Sequence, residues 1–214
     1  MTANGGPVLA VPAEGRVARK RQRRIREIMQ AAAKVVSERG YHATSLEDIA
    51  EEMDVAKATL YHYFSSKEDL FGACLKNVSA EAFARLEAVA AQPGSASERL
   101  HRLVTEQVLI LTQDYSAFAP LFLHPIQWPD GLLSEVRRGR EQNNQLFVRV
   151  INEGVANGEF AVSDPMVARH LMHGALNHIP DWYRPQQRLQ PQRLAAFVAD
   201  RVVQLFVARA VTDG

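Results

Sequence analysis

With 214 residues, 47 % of them apolar and 23 % charged, and a net charge of +1, the chain has the make-up of one or two compact, core-forming domains. Cys74 is the only cysteine, which excludes an intrachain disulfide framework and points to a cytoplasmic setting. No apolar run approaches the length of a membrane span, and the N-terminal stretch lacks the cationic start and apolar core of a signal peptide, so no membrane partner is expected.

Residues 1–18, rich in Gly, Pro and Ala and basic towards their end, read as a disordered tail. From Arg16 to Arg26 there are seven cations (Arg16, Arg19, Lys20, Arg21, Arg23, Arg24, Arg26) and no acid. Alone such a run is a solvated arm; next to a nucleic-acid-reading element it meets phosphates, which makes Arg21 and Arg24 candidates. The first helix is expected from about Arg19 to Arg39. Ile25, Ile28, Met29, Ala32, Val35 and Val36 form its apolar stripe, and Gly40 suits the left-handed cap.

The most informative stretch runs from Thr44 to Leu70. Thr44 with Glu47, and Ser65 with Glu68, have capping-box spacing. Between them lie one short helix carrying Leu46, Ile49, Ala50 and Met53, a turn at Asp54-Val55, and a second helix from about Lys57 to Phe64. In that second helix Leu60 and Phe64 point inward, while Lys57, Ala58, Tyr61 and His62 share the opposite arc. A short helix pinned by two large hydrophobes and offering such a face matches the recognition helix of a helix-turn-helix. Lys57, Ala58, Tyr61 and His62 are therefore candidates for base edges, and Thr44, Thr59, Tyr63 and Lys67 for phosphates. The pairs Gly40-Tyr41, Thr44-Ser45, Ile49-Ala50 and Val55-Ala56, with TLYHYF and SSKEDL, resemble the DNA-binding domain of the tetracycline-repressor (TetR) family. Ala56 departs from the Ser that often caps this helix in the family.

The helix opened at Ser65 or Ser66 continues through Val78, Phe83 and Leu86 to the break at Gln92-Pro93-Gly94-Ser95. Ser95 or Ser97 opens a helix with Leu100, Leu103, Val104, Val108 and Leu111. A short segment around Phe118–Phe122 and an irregular connection at 124–131 follow. Further helices are expected from about Leu132 to Asn157, from Pro165 to Ile179, and from Pro191 to Val211. The chain is thus all-α with about nine helices: a tail (1–18), a helix-turn-helix domain (19–66) and a ligand-binding and dimerisation domain (67–214). In the last of these, Asn152-Glu153-Gly154, Asn157-Gly158-Glu159-Phe160, Gly174-Ala175-Leu176-Asn177 and Asp181-Trp182-Tyr183-Arg184-Pro185 resemble a TetR subgroup associated with acyl-CoA and lipid metabolism.

Phe118, Phe122, Trp128 and Phe147 come from separate segments and suit either core packing or an apolar ligand cavity between helices. Arg137 and Arg140, with Arg138, lie early in a long helix, where cations oppose the helix dipole. They either face solvent beside Glu135 and Glu141 or meet an anion such as the phosphates of coenzyme A. His173 and Asn177 complete the ligand candidates. His170 and His173 stand three apart, but no carboxylate set of matching spacing accompanies them, so no metal is expected.

The last helix carries Leu194, Phe197, Val198, Val202, Leu205 and Phe206 in one stripe with Arg201 at its margin. The resemblance implies that such a helix pairs two subunits in a four-helix bundle, with His170 contributing from the preceding helix. These readings converge on a non-enzymatic, homodimeric repressor of a palindromic DNA operator. It needs no cofactor, and a hydrophobic small-molecule effector, an acyl-CoA among the candidates, releases it. The alternatives are a neutral or cationic lipophilic effector, a constitutive DNA-binding protein without a ligand, and a helical-bundle enzyme or metal protein.

Overall fold

The computed structural model describes residues 13–123, 128–184 and 189–207, the side chains of 13, 14, 16–19, 21 and 22 excepted. These residues form nine α-helices and one π-turn, with no strand among them. In chain order they are α1 (Ala13–Arg39), α2 (Leu46–Glu52), α3 (Lys57–Tyr63), α4 (Lys67–Ala90), α5 (Ala96–Leu109), the π-turn (Ile110–Asp114), α6 (Ala119–Leu123), α7 (Asp130–Ala156), α8 (Pro165–Trp182) and α9 (Pro191–Val207).

Two differences lie at helix starts. Helix α1 begins at Ala13, so residues 13–18, expected in a disordered tail, belong to it; Ala and Arg are strong helix formers, and one Gly there does not outweigh them. Helix α2 is capped by Ser45 rather than by Thr44, and α4 by Ser66, the second of the two serines read as its start. Ser45 accepts from the Asp48 amide at 3.1 Å while Asp48 accepts from the Ser45 amide at 2.7 Å, a complete capping box. Ser66 accepts from the Asp69 amide at 3.0 Å. Gly40 takes the left-handed cap expected of it, at φ 79°, and Asp54 makes the turn between α2 and α3 at φ 50°.

Two apolar clusters hold the helices together. One gathers the α1 stripe, Leu46 and Ile49 of α2, Leu60 and Phe64 around α3, and Leu70, Phe71 and Cys74 of α4. Cys74 is a packing residue here, and burial pushes its thiol up to about 12, which makes it unreactive. The other cluster joins α4, α5, α7, α8 and α9. Helix α4 enters both, so it links the N-terminal domain to the bundle.

Helix α7 meets α5 and the loop after it at Gly154. A Cβ there would lie 2.3 Å from Phe160 Cδ2 and 2.9 Å from Ala96 Cβ. Both neighbours are buried, so neither can swing away. Gly154→Ala is therefore expected to destabilise the protein by about 1–3 kcal/mol, lowering Tm by roughly 3–10 °C in a thermal melt; an unchanged Tm would contradict this packing.

Candidate DNA interface and ligand cavity

Helix α3 is held by Leu60, fully buried, and by Phe64 at its end. That leaves Lys57, Ala58, Tyr61, His62 and Tyr63 exposed and Thr59 half-buried. All four base-contact candidates are thus exposed. Sequence reasoning treated Glu47 only as a cap, but the structure gives it another task. Its carboxylate pairs with Lys57 and accepts from the Tyr61 hydroxyl at 3.1 Å. The Lys57 hydrogen bond holds Glu47 below the usual carboxylate range, and Glu47 in turn raises Lys57. Helix α2 thereby orients two side chains of the reading face.

The phosphate candidates divide. Thr44 is only 3 % exposed. Its hydroxyl donates to Gly40 O at 2.8 Å and its amide to Tyr41 O at 3.3 Å, so both donors are occupied within the turn. Thr44 is a structural residue rather than a phosphate donor. Lys67 donates to Tyr41 O at 2.7 Å and stands 4.4 Å over the Tyr41 ring, bracing the α1–α2 turn while keeping donors to spare. Arg24 and Arg23 share Glu27 at 3.0 and 3.2 Å on the same helix. The Arg21 side chain falls outside the described residues.

Between α4, the π-turn, α6, α7 and α8 lies a cavity of 170 Å³. Six of the ligand candidates, Phe118, Phe122, Phe147, Arg140, His173 and Asn177, line it, together with Val78, Ile110, Leu111 and Tyr115. The π-turn, which no sequence signal announced, places Ile110 and Leu111 on this wall. Arg140 donates to Phe122 O at 2.9 Å from Nε and lies 5.8 Å from the Phe122 ring. Arg140 is exposed as a whole residue, yet desolvation lowers the pKa of its guanidinium, and no carboxylate offsets that. None of the lining residues is acidic.

Two ligand candidates are elsewhere. Arg137 is exposed and does not line the cavity, and Arg138 pairs with Glu135, so only Arg140 of the cluster faces inward. Trp128 is 7 % exposed but belongs to the N-terminal cluster. Its ring packs 5.0 Å from Tyr41 and 5.6 Å from Phe71, and its Nε1 donates to Leu121 O at 3.3 Å. It therefore ties the cavity-lining α6 to the DNA-binding domain.

His173 packs its ring 5.2 Å from Phe147, and burial lowers its pKa to about 4, with Arg169 and His170 adding repulsion. The neutral form is favoured in the folded protein, whereas the unfolded chain takes up a proton near pH 6.5. Stability is therefore full above about pH 6.5 and is lost as pH falls towards 4, by of order 2 kcal/mol. Melts from pH 7 to 4 should show this slope, and His173→Gln should flatten it.

Helix α9, read as one stripe, has two faces. Leu194 is 2 % exposed and Val198 packs on the core, so Leu194 is not available to a partner. Phe197, Leu205 and Arg201 face outward instead, Phe197 at 57 % exposure. On α8, Met166, Val167 and Leu171 are exposed beside His170, Leu171 at 61 %. Their i, i+4 spacing was the signal that sequence reasoning passed over. Among the described residues no group of three His, Cys, Asp or Glu could hold a metal ion, and no helix is long and apolar enough to cross a membrane.

Residues 28–74 match the family described as bacterial regulatory proteins, tetR family, and residues 93–206 match a tetracyclin repressor-like C-terminal domain. The chain belongs to the TetR family. A TetR/AcrR regulator from Thermobifida fusca is 33 % identical, with a TM-score of 0.63 over 84 % of this chain and 96 % of that one. The fatty acid metabolism regulator protein of Bacillus subtilis is 24 % identical over 83 % of this chain and 92 % of its own. The fold alone is shared with AibR in complex with isovaleryl coenzyme A and operator DNA, at 22 % identity and a TM-score of 0.71, over 87 % of this chain and 100 % of that one. This TetR-family chain is thus a DNA-binding transcriptional regulator rather than an enzyme, with its helix-turn-helix at the N-terminus and a helical regulatory domain behind it.

Proposed function

We propose that this regulator is a homodimeric repressor that leaves its operator when a hydrophobic acyl compound, an acyl-CoA, occupies the cavity. The observation that carries this reading is an apolar cavity with a cation and no carboxylate on its wall. An acyl chain suits the apolar part, and an anionic headgroup suits Arg140. The absence of acidic lining residues disfavours a cationic drug, and an open cavity disfavours a constitutive regulator with a filled core.

The exposed apolar face of α8 and α9 supports a dimer, because a second copy supplies the same face and closes both. Two recognition helices then reach successive major grooves, and reach is set by the dimer. An occupant shifts the protein towards a conformer with wrongly spaced recognition helices, to the extent that it binds that conformer better. On the reading head, Lys57→Ala and His62→Ala are each expected to lose about 1–3 kcal/mol of discrimination at one base position. Affinity for mismatched operators measures this; a uniform loss on every sequence would place both residues on phosphates instead. Native mass spectrometry of the protein as purified tests the whole reading, which expects a dimer carrying an acyl-CoA mass. A monomer, or a dimer holding only a neutral or cationic compound, would overturn it.

A further inference from the structure

Three polar atoms on the cavity wall are buried and have no hydrogen-bond partner: Ser79 Oγ, Asn143 Oδ1 and His173 Nε2. They come from α4, α7 and α8, so they are not one local accident of a single helix. Their order can be followed along α7. Ser79 Oγ lies 2.5 Å from where a Cβ of Gly139 would be, Asn143 stands one turn further on, and His173 packs on Phe147 another turn beyond. At 1.5 Å per residue the row is roughly 12 Å long. Arg140 and Phe122 stand at its first turn.

Buried polar atoms in proteins are paired with protein or ordered water, so three without a protein partner along one row are met by solvent or by a ligand that carries oxygens in the same places. A plain hydrocarbon chain entering here displaces solvent from these atoms without replacing its hydrogen bonds, whereas an oxygen-bearing one replaces them. Size narrows the choice further. A cavity of roughly 150 Å³ admits a benzene-sized ligand, so 170 Å³ holds only about six to eight non-hydrogen atoms. A long fatty chain exceeds that volume and would have to extend beyond the cavity.

Building on the reading of the cavity as an effector site, we infer that its occupant is a short acyl group carrying a hydroxyl or keto oxygen. The acyl carbonyl accepts from Ser79 near the Arg140 end, and the second oxygen meets Asn143, with His173 closing the row. The Asn143 carbonyl oxygen accepts from a hydroxyl; its amide, turned over, donates to a keto oxygen.

Calorimetry on the full-length protein tests this with butanoyl-, 3-hydroxybutanoyl-, 3-oxobutanoyl- and hexadecanoyl-CoA, and with the N-acetylcysteamine thioesters of the same acyl groups. At least one oxygenated butanoyl-CoA is expected to bind about tenfold or more tightly than butanoyl-CoA, and hexadecanoyl-CoA more weakly than either. In Asn143→Leu that ratio should shrink to within about threefold, whereas Ser79→Ala, which loses the contact to the carbonyl that all the esters share, should weaken every butanoyl ester by a similar factor and leave the ratio in place. Two variants on different helices guard against one of them folding poorly. Tightest binding of hexadecanoyl-CoA, or an oxygen that changes nothing in the wild type, would overturn the inference. If the oxygenated thioesters keep their preference but coenzyme A adds no affinity, the inference stands and the acyl-CoA reading falls.

Discussion

Phe197→Glu is expected to sediment as a monomer and to bind operator at least about a hundredfold more weakly than the wild type, because two linked half-sites gain about 10²–10⁴ in avidity. Phe197 is 57 % exposed in the single chain, so nothing in the fold of one subunit needs it. The Arg201 guanidinium lies over its ring, 5.3 Å from the ring centre. A large aromatic held outward in this way beside Leu205, with Met166, Val167 and Leu171 on the neighbouring helix, makes an exposed apolar face, the one on which the proposed dimer rests. A carboxylate placed there would be buried unpaired in the proposed dimer, which would dissociate sooner than accept it. Leu171→Glu on α8 should act in the same way. The single chain keeps its helical content in either variant, which circular dichroism checks. A dimeric Phe197→Glu protein with unchanged operator affinity would place the interface on another face.

Trp128→Ala is expected to lower stability by about 3–5 kcal/mol, the range for removing a buried large aromatic. The ring touches Tyr41 and Phe71, and those contacts vanish with it. The effect on function should be separable from this loss in Trp128→Phe, which retains most of the volume but not the indole N–H that bonds to Leu121 O. Leu121 belongs to α6, whose neighbours Ala119, Phe122 and Leu123 line the cavity. On the other side, Tyr41 carries Lys67 over its ring and borders the helix-turn-helix. Trp128→Phe should therefore bind effector with nearly wild-type affinity by calorimetry but release operator at higher effector concentrations. Equal release by both proteins would remove Trp128 from the path between cavity and DNA.

Much of this was legible in the sequence because local patterns carried it. The helix-turn-helix is a set of short-range periodicities and caps, and the exposed and buried arcs of α3 follow from the spacing of Leu60 and Phe64 alone. The α2 cap lies one residue from the expected Thr44 for a local reason as well. Thr44-Ser45 with Glu47-Asp48 offers two overlapping boxes, and so does Ser65-Ser66 with Glu68-Asp69. The choice is decided by burial of Thr44 against Gly40, which is tertiary information. The same limit explains α9: a stripe of Leu194, Phe197, Val198, Leu205 and Phe206 is wide enough to serve two faces, and only the packed bundle shows that Leu194 and Phe206 are inside and Phe197 and Leu205 outside. An aromatic such as Trp128 suits core packing and a cavity wall equally well by sequence. Its actual site depends on where α7 returns against α4, which no spacing encodes. The unpaired row of Ser79, Asn143 and His173 was equally invisible, since three helices must pack before those atoms share a wall.

The central claim is that occupation of the cavity by an acyl-CoA releases DNA, and one titration tests it directly. An operator duplex selected from a random pool and carrying a fluorophore is bound by the protein, and its anisotropy is followed as CoA esters, the matching free acids and lipophilic cations are added. The account predicts release by acyl-CoA at lower concentration than by the matching acid, with Arg140→Gln narrowing that gap, and no release by the cations. Release by a neutral or cationic compound with none by any CoA ester would contradict it.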